Sequence, residues 1–211
     1  MMPEKIFVSG IGTEVGKTIV SAVLTEALQA DYWKPLQAGN MEFSDSQTVR
    51  SLISNKKSVI HSEKFAFFLA ASPHLAAKEE GIKMQVADFE IPQTQNRRLI
   101  IEGAGGLMAP LNNKETMIDL IKHFQAKVIL VGINYLGSIN HTLLSAYALQ
   151  KEGIEVMGII FNGRKHDPSE KIILKQTGIP MLGRVERMPE PSKELILKEA
   201  DKFSNLLDPI S

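Results

Sequence analysis

Short apolar runs alternate with amphipathic segments along most of this chain. In residues 19–30 the apolar positions Val20, Val23, Leu24 and Leu28 recur at helical spacing, whereas residues 6–9 form a short run typical of a buried strand. The same alternation continues to the C-terminus. The pattern predicts strands at 6–9, 32–36, 97–102, 128–133, 156–161 and 181–185. It predicts helices at 19–30, from 44 onward, and at 75–80, 115–125, 139–152, 169–177 and 192–207.

The predicted strands are apolar throughout, which is typical of a parallel sheet covered by helices on both faces. No internal repeat, low-complexity linker or break in composition divides the 211 residues. We therefore expect one domain, residues 1–211, with a doubly wound α/β fold and a mainly parallel sheet. Ligands of such domains bind at the carboxyl ends of the strands.

Composition narrows the classes of partner. The chain has 24 Lys and Arg residues against 24 Asp and Glu residues, so no net field attracts nucleic acid or an anionic membrane. It has no cysteine, which excludes disulfides and thiolate metal sites. We find neither a signal sequence nor an apolar run of the roughly 20 residues that a spanning helix needs. The expectation is a cytoplasmic protein that binds neither nucleic acid nor membrane.

A glycine-rich loop, GIGTEVGKT at residues 10–18, lies between the first strand and the first helix. In a P-loop, backbone N–H groups surround phosphates, a lysine such as Lys17 neutralises their charge, and a hydroxyl such as Thr18 binds Mg²⁺. The strict pattern has glycine where this chain has Ile11. The competing interpretation is a glycine-rich turn with an exposed lysine, which leaves Thr13 and Glu14 inside the loop unexplained. The loop therefore predicts phosphate binding and a P-loop NTPase-like fold.

Two acidic residues are candidate Mg²⁺ ligands, because this hard cation usually takes one or two carboxylates. Glu102 ends an apolar strand, where an unpaired acid is costly, and glycines follow it. Asp45 follows Ser44 in a helix-start signal, so a role as a helix cap or as a first-turn acid competes with metal binding. Lys34, after a strand, is either a surface lysine or a charge at the site, and the residue types alone leave both open.

The loop closely resembles that of dethiobiotin synthetases, which share its departure from the strict spacing. Further matches follow in order along most of the chain, while the C-terminal quarter matches weakly. The matching segments are 33–39 (WKPLQAG), 44–45 (SD), 72–77 (SPHLAA), 102–106 (EGAGG), 136–141 (LGSINH) and Asn162.

The resemblance implies an enzyme that joins CO₂ to 7,8-diaminononanoate with ATP and Mg²⁺, closing the ring of dethiobiotin. A carbamate forms first, ATP phosphorylates it to a carbamic–phosphoric anhydride, and the second amine expels phosphate. It also implies a homodimer in which residues 136–141 serve the partner's active site, with the helix N-terminus as an anion site.

The resemblance also assigns roles by position. The implied catalytic residues are Thr13, Lys17 and Lys34. Nucleotide contacts are implied for Thr13, Glu14, Val15, Gly16, Lys17, Thr18, Ile19, Asp45, Glu102, Gly103, Ala104, Gly105 and Asn162. Substrate contacts are implied for Thr13, Lys34, Ala38, Leu136, Gly137, Ser138 and Asn140, and Mg²⁺ contacts for Thr18, Asp45 and Glu102. His141 is interpreted as a packed helix residue, and Asn162 is either the residue that reads adenine or a plain strand-end asparagine.

The chain departs from the family pattern at two places, and three other classes of protein are alternatives. Ala38 stands where some family members have a hydroxyl, and residues 183–188 lack the Ile-Pro pair that lies near the nucleotide base. A regulatory ATPase of the partition or septum-placement type would have an extra lysine early in the loop, which is absent here. An amide-forming ligase of the cobyrinic-acid type would need a further domain, and a small-molecule kinase would need a basic lid.

Overall fold

A computed structural model describes residues 3–206 of the chain. Its strands are β1 Glu4–Gly10, β2 Asp31–Trp33, β3 Leu36–Ala38, β4 Ile60–His61, β5 Phe65–Phe67, β6 Arg98–Gly106, β7 Lys127–Ile133, β8 Val156–Asn162 and β9 Met181–Val185. Its α-helices are α1 Lys17–Leu28, α2 Asp45–Leu52, α3 Pro73–Glu79, α4 Met117–Phe124, α5 Ser138–Lys151, α6 Asp167–Thr177 and α7 Lys193–Ala200. Short 3₁₀ turns occupy Met41–Phe43, Val86–Asp88 and Asp201–Phe203.

Seven strands form one sheet in the order β4-β2-β6-β1-β7-β8-β9. Every neighbouring pair in this sheet is parallel, so all seven carboxyl ends lie at one edge. The predicted single-domain α/β fold with a parallel sheet is confirmed. Because β1 lies between β6 and β7, the loop that follows it opens near the middle of that edge.

Alternation along the central strands builds a hydrophobic core on each face of the sheet. Ile6 and Val8 of β1 and Ile100 of β6 face one core, which α1, α2, α6 and α7 cover. Phe7 and Ile101 point the opposite way, into a second core closed mainly by α3 and α4. The helices therefore cover both faces, as the apolar strands predict.

The single strand predicted at 32–36 is wrong. β2 ends at Trp33, and β3 begins at Leu36 in a separate two-stranded parallel sheet with β5. Pro35 between them has no N–H to donate to a ladder, while its carbonyl accepts hydrogen bonds from the N–H groups of Lys64 and Phe65. The chain thus changes sheets at Lys34-Pro35, which places the Lys34 side chain at the edge where ligands bind.

The predicted end of the strand at Glu102 is also wrong, because β6 continues to Gly106. After the pair Val8–Glu102 the register shifts, and Gly106 then pairs with Gly10. A side chain at Gly103 would come within 2.7 Å of the Phe7 ring, so glycine is needed for this close approach. The glycines therefore run as a strand beside the start of the loop.

The C-terminal helix is shorter than predicted. α7 ends at Ala200 and a 3₁₀ turn follows, while residue 207, the predicted helix end, lies outside the described residues. Within residues 3–206, no helix is both long and apolar enough to cross a membrane.

Candidate active site

The loop at residues 10–18 connects β1 to α1 through residues in the left-handed backbone region. Gly16 caps α1 at φ 86°, and Glu14 has φ 56°, which is uncommon for a residue with a side chain. A side chain at Gly16 would lie 2.0 Å from Nδ2 of Asn162. That amide donates a 3.0 Å hydrogen bond to the carbonyl of Val15. The end of β8 therefore holds the loop in a fixed shape.

Lys17 opens α1 with its ammonium group turned back into this loop. Nζ donates to the carbonyl of Gly12 at 2.8 Å, and the residue is only 8% exposed. Burial lowers the pKa of Lys17 to about 8, although the charge of Glu102 opposes the shift. A bound anion at this position would favour the charged form of the lysine. The loop is suited to a phosphate.

Three oxygens converge where α1 meets the ends of the strands. Thr18 Oγ1 lies 3.1 Å from Asp45 Oδ1 and 2.9 Å from Glu102 Oε1. One hydroxyl proton cannot satisfy both carboxylates at once, so a cation fits among these oxygens. Within residues 3–206, no group of three or more His, Cys, Asp or Glu side chains could hold a metal. Two carboxylates and a hydroxyl are nevertheless a donor set suited to Mg²⁺, which completes its shell with water and phosphate oxygens.

Asp45 is the acidic residue of the first turn of α2, and it is not the residue that caps this helix. Ser44 caps α2, accepting from the Gln47 N–H at 3.3 Å, and Asp45 is the first residue of the helix. Its carboxylate still points to Thr18 and Lys34. The helix start therefore orients Asp45 towards the loop, because its cap is supplied by Ser44.

Lys34 is buried among acceptors at the same place. Its Nζ lies 2.6 Å from Asp45 Oδ2 and 3.0 Å from Glu102 Oε1, and it donates to the Gly103 carbonyl at 3.1 Å. Burial by itself would lower the pKa of Lys34, but the charges of Glu102 and Asp45 outweigh it, and the pKa is raised. The side chain is a permanent cation and not a surface lysine.

One open cavity of about 1150 Å³ collects most of the predicted residues. Of the predicted residues, those that line it are Thr13, Glu14, Gly16, Lys17, Thr18, Ile19, Lys34, Ala38, Asp45, Glu102, Ala104 and Gly105. Val15, Gly103 and Asn162 support this cavity through the backbone contacts described above. It is large enough for a nucleotide and a second small molecule.

The residues predicted at 136–140 lie elsewhere within the chain. Leu136, Gly137 and Asn140 line a second cavity of about 830 Å³, together with residues near Arg164. Ser138 begins α5, and its buried hydroxyl has no hydrogen-bond partner within residues 3–206. The interpretation of His141 as a packed residue is wrong, because His141 is exposed and its Nδ1 lies 2.5 Å from the Tyr135 hydroxyl.

Sequence reasoning missed two polar side chains that support the acids. The Tyr32 hydroxyl donates to Glu102 Oε2 at 2.8 Å. Gln37 Oε1 accepts from the backbone N–H of Asp45 at 3.2 Å. Period-two alternation places Tyr32 on the same strand face as the position of Lys34, which is a signal that could have identified it.

Comparison with known sequences finds one matching domain family and relatives that share one name. The AAA domain family matches residues 4–194. The ATP-dependent dethiobiotin synthetase of Christiangramia forsetii is 50% identical over 206 residues, covering 98% of this chain and 99% of the relative. That of Cytophaga hutchinsonii is 50% identical over 200 residues, covering 95% and 97%.

Comparison with solved structures shows the fold alone, since the identities are low. The cell division ATPase MinD of Pyrococcus furiosus has a TM-score of 0.56 at 16% identity and covers 97% of this chain and 100% of its own. A ParA family ATPase from Chlorobium tepidum has a TM-score of 0.54 at 12% identity and covers 100% and 95%. Taken with the full-length relatives at 50% identity, the chain belongs to the family of ATP-dependent dethiobiotin synthetases.

Proposed function

We propose that this protein converts 7,8-diaminononanoate, CO₂ and ATP to dethiobiotin, ADP and phosphate. The observation that carries the proposal is the convergence of Lys34, Asp45, Glu102 and Thr18 at the mouth of the loop that ends in Lys17. This arrangement joins a phosphate site to a buried cation in one cavity. The substrates are those that the resemblance implies and are consistent with the names of the full-length relatives.

In this proposal the phosphates of ATP lie in the loop. The backbone N–H groups of residues 12–18 face the β- and γ-phosphates, and Lys17 exchanges its Gly12 carbonyl for a phosphate oxygen. Asn162 would lie on the side of the loop that faces the adenine base, because it already contacts the loop backbone at Val15. Its role in reading adenine is part of the proposal.

Thr18, Asp45 and Glu102 are the residues that would hold Mg²⁺. When bound there, the ion supplies positive charge to the phosphate oxygens that develop charge during transfer. The two carboxylates are largely buried, and Lys34 is their nearest counter-charge. The Lys17 ammonium also faces these carboxylates from the loop, so the two acids are placed against two cations before nucleotide binds.

The proposed chemistry proceeds in three balanced steps. One amine of the substrate attacks CO₂ and loses a proton, giving a carbamate. A carbamate oxygen then bonds to the γ-phosphorus as the bond to ADP breaks, giving a carbamic–phosphoric anhydride. The second amine attacks the carbamoyl carbon, the carbon–oxygen bond to phosphate breaks, and a proton leaves the nitrogen.

Lys34 has the position and charge to assist the transfer. Its ammonium lies beside the two acids and can turn to a carbamate or γ-phosphate oxygen when ligands enter the cavity. Stabilisation of charge that develops in the transition state is usually the largest single contribution to such catalysis. Thr13 is exposed at the cavity wall and is placed to contact the substrate.

We also propose a homodimer in which residues 136–140 complete the partner's site. Within one chain Leu136, Gly137 and Asn140 line a cavity separate from that of Lys34. Leu136 and Leu144 expose large apolar side chains beside this segment, which favours burial against another chain. Ser138 begins α5, and the N-terminus of this helix is suited to an anionic group of the substrate.

The test is the release of ADP by the purified protein with each substrate omitted in turn. The proposal predicts release that requires the diamine, bicarbonate and Mg²⁺ together, with dethiobiotin detected by mass spectrometry. ATP turnover that ignores the diamine and responds to DNA or lipid vesicles would instead indicate a regulatory ATPase. Action in the cytoplasm, without nucleic acid or membrane partners, remains part of the proposal.

A further inference from the structure

A tyrosine hydroxyl lies inside the core directly behind the acidic cluster. Tyr32 is fully buried in β2, where it pairs in register with Ile100 of β6. Parallel pairing and alternation place Tyr32, Ile100 and Glu102 on the same face of the sheet. The Tyr32 hydroxyl donates a 2.8 Å hydrogen bond to Glu102 Oε2.

This contact makes the two oxygens of the Glu102 carboxylate different. Oε1 faces the site, where Thr18 lies 2.9 Å and Lys34 3.0 Å away. Oε2 points into the protein, and within residues 3–206 Tyr32 is its hydrogen-bond donor. A carboxylate free to rotate could offer either oxygen or both to a cation. Here the hydroxyl holds the plane of the group so that a single oxygen reaches the site.

We infer that Tyr32 is a positioning residue that orients Glu102 to present Oε1 alone to the cation bound with the nucleotide. The inference rests on the proposed role of Glu102 in holding Mg²⁺. It assigns a function to a core residue two positions before Lys34, outside the loop and outside the cavity lining.

The surroundings favour this role over simple core filling. Tyr32 is 0% exposed and Glu102 is 1% exposed, so the hydrogen bond between them lies inside the core. Phenylalanines occupy other fully buried sites of this sheet, such as Phe7 and Phe161. A phenylalanine at residue 32 would fill the same space and leave a buried carboxylate oxygen without a donor.

The experiment compares Tyr32→Phe with the unaltered protein by calorimetric titration of ADP, with and without Mg²⁺. The ratio of the two affinities measures how strongly the metal is coupled to the nucleotide. Loss of a group that orients a metal ligand typically lowers metal affinity about 10- to 100-fold. We expect the ratio to fall by about tenfold, while metal-free ADP affinity stays within about twofold.

Two variants accompany this measurement. Tyr147→Phe removes a hydroxyl from the exposed surface of α5, where its contact with the Gln176 carbonyl is a long 3.5 Å, and it should change neither affinity. Glu102→Gln should also reduce the ratio, and adding Tyr32→Phe to it should then have little further effect. That non-additivity is what positioning through Glu102 requires.

The outcomes separate the inference from the proposed function. If Glu102→Gln reduces the ratio and Tyr32→Phe does not, the inference is overturned while the metal site stands. If neither variant changes the ratio, Glu102 does not hold the metal, and both the proposed metal site and the inference are wrong. If Tyr32→Phe does not fold, the double variant decides: recovered folding supports the pairing, and continued failure to fold overturns it.

Discussion

At the scale of single residues, burial and neighbouring charges have opposite effects on the pKa of Lys34. A buried ammonium normally loses its proton readily, yet Glu102 and Asp45 raise the pKa of Lys34. Lys17, whose direct hydrogen bond is to a carbonyl, instead has its pKa lowered to about 8 by burial. The structure therefore contains one lysine held as a fixed cation and a second whose environment favours the arrival of an anion.

The first prediction concerns Lys34→Gln. If Lys34 stabilises charge in the transition state, kcat should fall by about 10²–10³ while KM for the diamine changes little. Lys34→Arg should rescue poorly, because a planar guanidinium does not fit the space that holds a compact ammonium between two acids. Steady-state kinetics at saturating ATP and bicarbonate measures both constants. A normal kcat with a raised KM would reduce Lys34 to a binding residue.

The second prediction concerns Lys17→Ala. Its hydrogen bond in this structure is to the Gly12 carbonyl, so the fold should survive and nucleotide binding should be lost. Lys122→Ala is the matched control, because Lys122 is exposed and pairs with Glu152 on the surface. Fluorescent nucleotide titration with circular dichroism tests both. ATP affinity near that of the unaltered protein would contradict the phosphate-loop assignment.

At the scale of elements, the site depends on where strands end. β2 ends before Pro35, which turns the chain out of the main sheet at Lys34. β6 continues past Glu102, so its carboxylate projects from inside a strand, where its backbone pairs with Val8 of β1. α2 begins at Asp45 with its cap supplied by Ser44. The ends of β2 and α2 and the interior of β6 thereby bring the charged groups of Lys34, Asp45 and Glu102 together.

The opposite end of β2 offers a test of stability against pH. Asp31 is buried and accepts hydrogen bonds from the Val59 N–H at 2.7 Å, from Asn96 Nδ2 at 2.6 Å and from the Thr94 hydroxyl. Burial alone would raise the pKa of Asp31, but these hydrogen bonds outweigh it, and the pKa is lowered. A lowered folded pKa contributes stability above the unfolded value of about 3.9 and loses it as pH falls through the folded pKa.

We therefore expect Asp31→Asn to lower the free energy of unfolding at pH 7 by about 1–3 kcal/mol. The difference from the unaltered protein should shrink as pH falls below about 4, because the native carboxylate then loses its advantage. Urea denaturation across this range measures it, with the exposed Asp201→Asn as the control. A difference that does not change with pH would show that the ionised carboxylate is not what stabilises β2.

At the scale of the whole molecule, one chain holds the phosphate loop and Lys34 in one cavity but has Leu136, Gly137 and Asn140 in another. A homodimer in which the two subunits share their active sites would bring these two cavities together. The exposed Leu136 lines that second cavity, the exposed Leu144 lines the cavity of Lys34, and burial of such apolar side chains stabilises an interface.

Mixing two inactive variants tests this arrangement. Asn140→Ala and Lys17→Ala subunits, each impaired alone, should recover about a quarter of full activity at equal ratio. Random exchange makes about half the dimers mixed, and each mixed dimer has one site with both defects and one with neither. Exchange is verified by mass spectrometry of differently tagged chains. Exchange without recovered activity would place the whole site within one subunit.

The sequence by itself determined the features that depend on neighbouring residues. Residues 10–18 predict the phosphate loop because their glycines, Lys17 and Thr18 act through the local backbone between a strand and a helix. Apolar strands between amphipathic segments predict the parallel sheet and its two cores, since burial on both faces leaves a direct pattern. The sequence also predicted a functional role for Glu102, because an acid at the end of a buried apolar run is unusual.

Only the tertiary structure decided which of these residues meet. Lys34 and Glu102 are 68 positions apart, and Tyr32 and Glu102 are 70 apart, so their contacts depend on strand order and register. The strand predicted at 32–36 was wrong because Leu36 pairs with β5 in a separate sheet. The strand end predicted at Glu102 was wrong because Gly106 pairs with Gly10 of β1. Hydrogen bonding between distant segments overrides local propensity, because a strand exists only with its neighbour.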